Sequence, residues 1–361
     1  MSFFDKTFDT DDIKLYNTSE FEFLCMNSII KNAINAQDLS VDQIETVLTT
    51  SEYDDMLFAK ADEVRKEHCG NMVKMAALLE FSNVCHNHCH YCGLRQENTE
   101  LRRYTLSFNG IAKHAELAKQ LGFKYIVLQS GESEEYSRED FIALIKMIRG
   151  LGLRVILSCG ELDGRDLRDF HDAGAFGYLL KIETSDERLY KHHHPHQNWM
   201  LRNNTINLLS ALYYYTGTGN IIGLPGQTVR SIAEDIEYFQ KVNADFIGIS
   251  PFIPHPQTPL SVVDKGSLSL VLKAIAVCRI LNPTVDMVTT TALEALAPNG
   301  QALGFSAGAN MIMVNITSDN VRKNYQLFEN KENTGIISAG LDNIINNIKK
   351  CGRTISSDFL K

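Results

Sequence analysis

Short apolar runs rich in β-branched residues alternate along the middle of the chain with longer amphipathic segments. The longer segments, such as IAKHAELAKQLG and SIAEDIEYFQKVN, have helical apolar spacing and end near Gly or Asn before the next apolar run. Eight runs predict strands, the last with the weakest pattern: MVKMAALLEF, KYIVLQ, RVILSC, GYLLKIE, GTGNIIG, DFIGIS, TVDMVTT and MIMVNI. Strand–helix alternation is typical of a parallel sheet. We therefore predict an α/β fold, a (β/α)8 TIM-type barrel that is complete or nearly so, with its chemistry on the loops after the strands.

Two regions flank the predicted barrel. Residues 11–68 have helical apolar spacing, and residues 51–54 (Ser-Glu-Tyr-Asp) are suited to cap a second helix within this region. We predict an N-terminal helical extension over residues 1–70, the β/α barrel over residues 71–318, and helices over residues 319–361 that pack on the barrel and close it.

The composition is that of an ordinary globular protein with a sizeable core. The chain has 361 residues, of which 44% are hydrophobic and 22% are charged. A formal net charge of −9 argues against nucleic acid or an anionic membrane as a partner. The first residues lack an apolar signal core, and no run is long enough to span a membrane, so we expect a cytoplasmic protein.

Three of the eight cysteines crowd into the loop after the first predicted strand. Cys85, Cys89 and Cys92 have the spacing Cys-x3-Cys-x2-Cys, with an aromatic residue, Tyr91, before the last. Soft thiolates suit an iron–sulfur cluster, and three of them leave one iron of a four-iron cluster without a protein ligand. The alternative is a zinc site completed by a nearby histidine: His86, His88 or His90. The remaining cysteines have no comparable partners, and we assign them no chemistry: Cys25, Cys69, Cys159, Cys278 and Cys351.

The segment LEFSNVCHNHCHYCGLRQENTELRRYTLS resembles the radical S-adenosylmethionine (SAM) enzymes, and among them the HydE family of [FeFe]-hydrogenase maturases. The resemblance covers roughly residues 70–330 and continues through VLQSGE, LSCGE, YLLKIET, GLPGQT and PFIPHPQTPL. Biotin synthase and methylornithine synthase are more distant relatives. The resemblance implies two cofactors, a [4Fe-4S] cluster on the three cysteines and SAM, which is reductively cleaved to a 5′-deoxyadenosyl radical.

The resemblance also implies a set of SAM-binding residues. Glu183 ends a largely apolar strand and needs a partner, for which Arg202 is the candidate. The resemblance assigns Arg202 to the methionyl carboxylate of SAM, a role that suits a guanidinium fork, whereas a plain surface charge is the alternative. The predicted cofactor-binding residues are Tyr91, Gln129, Ser130, Gly131, Glu132, Ser158, Glu183 and Arg202.

Further candidates for the site come from later in the chain. The resemblance places Thr290, Thr291, Asn310 and Tyr325 in the substrate cavity, although isolated hydroxyls and amides are more often structural. The proline-rich PFIPHPQTPL, with His255, is expected to form a stiff wall of the site, and the glycines of GLPGQT serve either the site or only the backbone turn. The HHHPH run over residues 192–196 favours a solvated surface stretch over a metal site.

Two departures from the family pattern concern the substrate. Lys181 stands where arginine is expected. Some members of the family carry a second cysteine cluster near the C-terminus, but Cys351 is the one cysteine beyond Asp319 in this sequence, so we do not expect a second cluster. The leading expectation is a HydE-like maturase that acts on a small organometallic iron precursor, with a low-potential electron donor and companion maturases as partners. The alternatives are a paralogue that acts on an amino-acid-derived substrate, as methylornithine synthase or biotin synthase does, and a cluster-bearing ligand carrier without turnover.

Overall fold

Eight parallel strands and the helices between them form a nearly closed barrel, as predicted. The computed structural model describes residue 28 and residues 31–35, 38–331 and 341–356. The strands of the barrel are β1 (Met72–Ser82), β2 (Tyr125–Ser130), β3 (Arg154–Ser158), β4 (Ala175–Leu179), β5 (Tyr215–Ile222), β6 (Phe246–Pro251), β7 (Asp286–Met287) and β8 (Met311–Asn315). Each strand pairs in parallel with its neighbour in sequence from β1 to β7, and β8 pairs with β1.

Helices cover the outside of the barrel and join its strands. Many begin at a capping side chain, as at Ser107, Ser137 and Asp163, each of which accepts a hydrogen bond from a backbone N–H of the first turn. The helices between β1 and β8 are α3 (Phe108–Gln120), α4 (Arg138–Gly150), α5 (Gly164–Ala173), α6 (Glu187–His193), α7 (Trp199–Ala211), α8 (Val229–Lys241), α9 (Leu268–Leu281), α10 (Thr291–Leu296) and α11 (Gly300–Ser306).

The seam between β7 and β8 is the weakest join of the barrel. An isolated bridge pairs Val288 with Met311, flanked by hydrogen bonds from Asn310 N–H to Met287 O and from Thr289 N–H to Met311 O. The strand β7 has two residues, whereas β1 has 11. The barrel therefore closes through a short contact, and its most extensive pairing lies around β1.

The strands alternate their side chains between two cores. Along β1, Met75, Ala77 and Leu79 pack outward under the helices, whereas Ala76 and Leu78 point into the barrel. Stacked rings fill the lower half of the barrel interior, which is the half where the strands begin. Their centroid distances are 5.2 Å between Phe176 and Tyr215 and 5.0 Å between Tyr215 and Phe246. The lower half of the barrel interior is therefore filled with side chains.

Two glycines explain why the interior is filled below and open above. A Cβ on Gly217 of β5 would lie 2.0 Å from the ring of Phe246, so the aromatic packing requires glycine there. A Cβ on Gly248 of β6 would meet nothing within 4 Å, and Gly248 borders the cavity described below. A side chain at position 248 would project into that cavity, so glycine keeps the upper half of the barrel open.

The described terminal segments pack against the barrel. Before β1 lie α1 (Val41–Thr49), which begins with a capping box of Ser40 and Gln43, and α2 (Asp54–Cys69). After β8 lie α12 (Asp319–Arg322), α13 (Leu341–Lys350) and a short strand β9 (Thr354–Ile355), which pairs with the start of β1. The sequence did not predict β9. The expected cap of α2 from residues 51–54 is wrong, because Tyr53 precedes the helix without a side-chain cap.

Some expectations fall on residues outside the described ranges. These are the first part of the predicted N-terminal helical extension, including Cys25, and residues 332–340 and 357–361 of the predicted C-terminal closure. Within the described residues, no helix has both the length and the apolar character needed to cross a membrane.

Candidate active site

The three clustered cysteines face one cavity at the carboxyl ends of the barrel strands. The cavity has a volume of about 330 Å³ and lies above the aromatic floor, where the sequence predicted the site. The predicted residues that line it are Cys85, Cys89, Cys92, Tyr91, Gln129, Ser130, Gly131, Glu132, Ser158, Glu183, Arg202, Thr290, Thr291 and Tyr325. One side of the cavity is therefore sulfur-rich, and the other sides carry polar and charged groups.

Arg103 and Asn83 shape the cysteine loop. The Arg103 guanidinium donates hydrogen bonds to the backbone carbonyls of Asn83, Leu94 and Arg95 at 2.7, 2.8 and 2.6 Å. The Asn83 amide in turn donates to Arg102 O and Asn324 O, and its side-chain oxygen accepts from Tyr104 N–H. Because buried carbonyls rarely remain unpaired, these bonds hold the backbone of the loop in place.

The thiols of this loop suit a metal cluster. Burial raises the pKa of Cys89 well above the ordinary value and that of Cys92 to about 12, and in each case a neighbouring cysteine adds to the rise. Three thiolates are unfavourable together in so enclosed a place unless a cationic group compensates their charge. Iron ions supply that charge, so the chemistry of the donor set fits the [4Fe-4S] cluster expected from the sequence.

The turn after β2 packs closely on the cysteine loop. Gly131 N–H donates to Ser82 O at 3.0 Å, and His86 N–H donates to Glu132 O at 2.9 Å. A Cβ on Gly131 would lie 2.2 Å from Val84 O and 2.7 Å from the Cβ of Cys85, so only glycine permits this approach. The glycine of this turn therefore serves the joint between the turn and the cysteine loop.

Arg202 and Glu183 lie at the cavity, but their charged partners differ from the predicted ones. The Nε of Arg202 lies 2.8 Å from Oε1 of Glu161 and donates to the Tyr190 hydroxyl at 3.2 Å. The Nζ of Lys181 lies 2.9 Å from Oε2 of Glu183. The predicted pairing of Glu183 with Arg202 is therefore wrong, because each has a closer partner of opposite charge. The roles of Glu161 and Tyr190 were missed, although Glu161 lies in the quoted LSCGE motif.

The backbone at Glu183 is in an unusual conformation. Its φ is 64°, in the left-handed region that a residue with a side chain seldom adopts. Two backbone bonds hold it there, from Glu183 N–H to Gly219 O and from Ile221 N–H to Glu183 O, both at 3.0 Å. Strained backbone of this kind is common at functional sites, where the surrounding structure enforces it.

Among the predicted substrate residues, Thr290, Thr291 and Tyr325 face the cavity. The Oγ1 of Thr290 is buried and takes no hydrogen bond from the described residues, so it is available to a ligand. The sequence gave no role to Lys331, which also lines the cavity and is ion-paired with the fully buried Glu80 of β1. Lys331 brings the segment after α12 over the mouth of the barrel.

Asn310 lies elsewhere, and the expectation that it lines the cavity is wrong. Its side chain accepts from Arg279 Nη2 at 2.9 Å and from Met287 N–H at 2.8 Å, and donates to Asp286 Oδ1 at 2.7 Å. It precedes β8, and strands of a parallel barrel begin at the end opposite the site. Asn310 is a structural residue of the floor.

We expect Asn310→Ala to lower the free energy of unfolding by about 2–4 kcal/mol, because it leaves Arg279 and Asp286 with unmet buried hydrogen bonds. Iron content after reconstitution should be unchanged, since the cysteine loop lies at the other end of the barrel. Chemical denaturation measures the free energy of unfolding, and iron analysis measures the iron content. The control is Asn207→Ala, at an exposed position of α7. Equal stability of the two variants would contradict the structural role.

The His192–His196 run is only partly a solvated surface stretch, so the expectation for it is wrong for His193 and His194, which are buried. His194 Nδ1 donates to Tyr190 O at 2.8 Å, so its Nε2 accepts from the Tyr91 hydroxyl at 2.7 Å. Burial lowers the pKa of His194 to about 3, which keeps the ring neutral for this role. His194 therefore fixes the aromatic residue of the cysteine loop.

The proline-rich loop after β6 supports the site in two ways. Pro251 lines the cavity, in agreement with the expected wall. His255 is buried behind the cysteine loop, where a Cβ on Gly93 would lie 2.6 Å from its Cδ2. His255 thus packs against the loop from outside the cavity.

Fold and site together define a parallel β/α barrel with a three-cysteine loop at its mouth. Residues 79–239 match the family model described as the radical SAM superfamily. The [FeFe] hydrogenase maturase subunit HydE of Thermotoga maritima is 40% identical over 279 residues, which are 77% of this chain and 80% of that protein. The 3-methylornithine synthase of Methanosarcina acetivorans is 28% identical over 79% of this chain and 82% of its own.

A solved structure agrees with the fold. The maturase HydG from Carboxydothermus hydrogenoformans superposes with a TM-score of 0.79 at 21% identity, covering 93% of this chain and 80% of that one. The chain therefore belongs to the radical SAM superfamily and, within it, to the HydE family. It is a radical SAM enzyme, and its cofactors are a [4Fe-4S] cluster and SAM.

Proposed function

We propose that this enzyme is a HydE-type maturase, which acts on a small organometallic iron precursor of the [FeFe]-hydrogenase active site. The observation that carries the proposal is the enclosed cavity, in which a three-thiol loop faces charged and hydroxyl side chains from other strands. Identity of 40% to a HydE subunit over 77% of the chain supports the same class. A low-potential electron donor and companion maturases are the partners that this function requires.

In this proposal Cys85, Cys89 and Cys92 hold the cluster. When bound, the reduced cluster supplies the electron that cleaves SAM to methionine and a 5′-deoxyadenosyl radical. Arg202, buried beside Glu161, offers its guanidinium to the methionyl carboxylate of SAM, and its ion pair with Glu161 and its hydrogen bond to Tyr190 fix its direction. The enclosed barrel keeps water and other hydrogen donors from the reacting groups.

The remaining predicted cofactor residues have supporting roles in the proposal. The end of β2 and the turn after it, with Gln129, Ser130, Gly131 and Glu132, offer backbone and side-chain groups to the amino group and ribose of SAM, beside the cysteine loop. Tyr91 orients the loop through His194. Ser158 and Glu183 complete the same side of the cavity.

The substrate is held by the remaining polar side chains of the cavity. Thr290 has a free hydroxyl oxygen, and Thr291, Tyr325, Lys181 and Lys331 line the same space. Ammonium and hydroxyl groups are donors suited to anionic ligands such as cyanide or a carboxylate. A cysteine-ligated iron carbonyl cyanide complex presents both of these groups, the cyanide on the iron and the carboxylate on the cysteine.

A second candidate is an enzyme of the methylornithine synthase type. The adjacent opposite charges of Lys181 and Glu183, 2.9 Å apart at the cavity, suit the carboxylate and ammonium groups of an amino acid. Because Lys181 stands where the family pattern has arginine, this pair is the feature that favours an amino-acid substrate.

The test is anaerobic reconstitution with iron and sulfide, followed by dithionite reduction and quantification of 5′-deoxyadenosine. We expect 5′-deoxyadenosine to form, and a synthetic cysteine-ligated iron carbonyl cyanide complex to accelerate its formation and to be consumed. Lysine or ornithine accelerating it instead would favour the second candidate. A loaded cluster with no 5′-deoxyadenosine under any condition would leave only a ligand carrier.

A further inference from the structure

Three histidines gather on the outer side of the cysteine loop, away from the cavity. His90 comes from the loop, and His192 and His193 come from the end of α6. One nitrogen from each ring lies within 4.8 Å of the other two. His90 N–H also donates to His193 O at 2.9 Å, so the backbone joins the loop to α6 at the same point. None of the three is among the residues that line the cavity.

His193 is oriented as a metal ligand is. Its Nε2 lies 2.8 Å from Pro225 O, and because a carbonyl only accepts, Nε2 carries the proton and donates. The other nitrogen, Nδ1, then has a lone pair; it is buried and takes no hydrogen bond from the described residues. The His193 side chain has no solvent exposure, so no water compensates this nitrogen from the surface. Histidines that bind metals usually donate their other ring N–H to a carbonyl or carboxylate in this way.

The other two rings are free to complete the site. His192 is exposed and His90 is half-buried, and their ring nitrogens form no hydrogen bonds with the described residues. Zinc–nitrogen bonds of about 2.0–2.1 Å place tetrahedral ligands about 3.3 Å apart, so the nitrogens need to approach each other by about 1.5 Å at most. Rotation of the exposed His192 ring and the half-buried His90 ring is the movement that this approach requires.

The surrounding charges permit a cation. Arg95 lies near His90 and opposes a cation, but Glu97 pairs with it, with Arg95 Nε 3.0 Å from a Glu97 carboxylate oxygen. Glu97 also contacts His88 Nδ1 at 2.5 Å. Arg95 is therefore largely compensated, and the three imidazole rings are the metal-binding groups gathered at this point.

We propose that His90, His192 and His193 bind a divalent transition-metal ion of the zinc class, separate from the iron–sulfur cluster. Three imidazoles suit zinc, with water in the fourth position. The ion ties the cysteine loop to α6, the helix that also carries His193 O and the Tyr190 ring beside Arg202. The site therefore holds the cluster loop from outside the barrel.

The test uses the full chain with the cluster reconstituted, so that the three cysteines are already engaged. Zinc is added, competed with a chelator of known affinity, and measured by elemental analysis and zinc-edge X-ray absorption. We expect one zinc per chain in a nitrogen environment with the outer-shell scattering of imidazole. His192→Asn should weaken zinc binding at least about 100-fold, because removal of even an outer-sphere partner costs 10–100-fold.

The matched control is His196→Asn, in the same run and also exposed, at a φ of 67° that asparagine tolerates. Zinc affinity should be unchanged in it. A variant with Cys85, Cys89 and Cys92 all replaced by serine should still bind one zinc. Sulfur ligands in the absorption spectrum, loss of zinc with the cysteines, or equal affinity in His192→Asn and the parent would each overturn the proposal.

Discussion

Cys89→Ala is expected to abolish both cluster assembly and SAM cleavage. The Cys89 thiol lies in the enclosed cavity and is coupled electrostatically to Cys92 and Cys85, so the three sulfurs act as one donor set. Two thiolates do not hold a [4Fe-4S] cluster of the form that radical SAM enzymes use. Iron and sulfide per chain, the visible absorbance of the cluster, and 5′-deoxyadenosine formed after dithionite reduction are the measurements.

The matched control is Cys69→Ala. Cys69 ends α2, is half-buried and does not line the cavity, with its sulfur 3.5 Å from Pro283 O. It should load iron and form 5′-deoxyadenosine as the parent does. A normal cluster in Cys89→Ala, or equal loss in both variants, would refute the assignment of the three-cysteine loop.

Arg202→Ala is expected to weaken SAM binding by about 10–100-fold while iron content stays at the parent level. Hydrogen bonds to charged groups contribute about 1.5–3 kcal/mol, and 1.4 kcal/mol corresponds to a factor of ten in affinity. The variant also leaves Glu161 without its cation, and burial already raises the pKa of that carboxyl. Equilibrium binding of SAM to the reconstituted, unreduced enzyme measures the effect separately from turnover.

Two further variants sharpen the Arg202 test. Arg202→Lys keeps the charge but not the planar fork, and we expect affinity between those of the parent and Arg202→Ala. Arg188→Ala, at an exposed position on α6, should bind SAM as the parent does. Unchanged affinity in Arg202→Ala, with the cluster intact, would remove this guanidinium from the cofactor site.

The barrel and the cysteine loop were predictable because their signals are local. Strands such as β1 are continuous apolar runs, since a parallel strand is buried on both faces, and the Cys-x3-Cys-x2-Cys spacing lies within eight residues. The run TVDMVTT predicted the seventh strand, but its length was not predictable: β7 has two paired residues, because the pairing across the seam of the barrel limits it.

The charge partners of the site could not be read from the sequence. Arg202 and Glu161 are 41 residues apart, and several carboxylates were equally plausible by position; only the fold, which brings the start of α7 beside the loop after β3, selects Glu161. Likewise, nothing local distinguishes His193 from His192, yet one is buried against Pro225 O and the other is exposed. Asn310 was misplaced because it was assigned from the resemblance alone, although it directly precedes the predicted strand MIMVNI and so falls at the end of the barrel opposite the site.

The bonds that Arg103 and Asn83 make within the cysteine loop determine when the ordering of the loop takes place. Because these bonds come from protein groups, part of the entropy of ordering the loop is lost when the barrel folds, before metal arrives. A folded chain therefore presents a prepared receptor to the cellular machinery that delivers iron and sulfide.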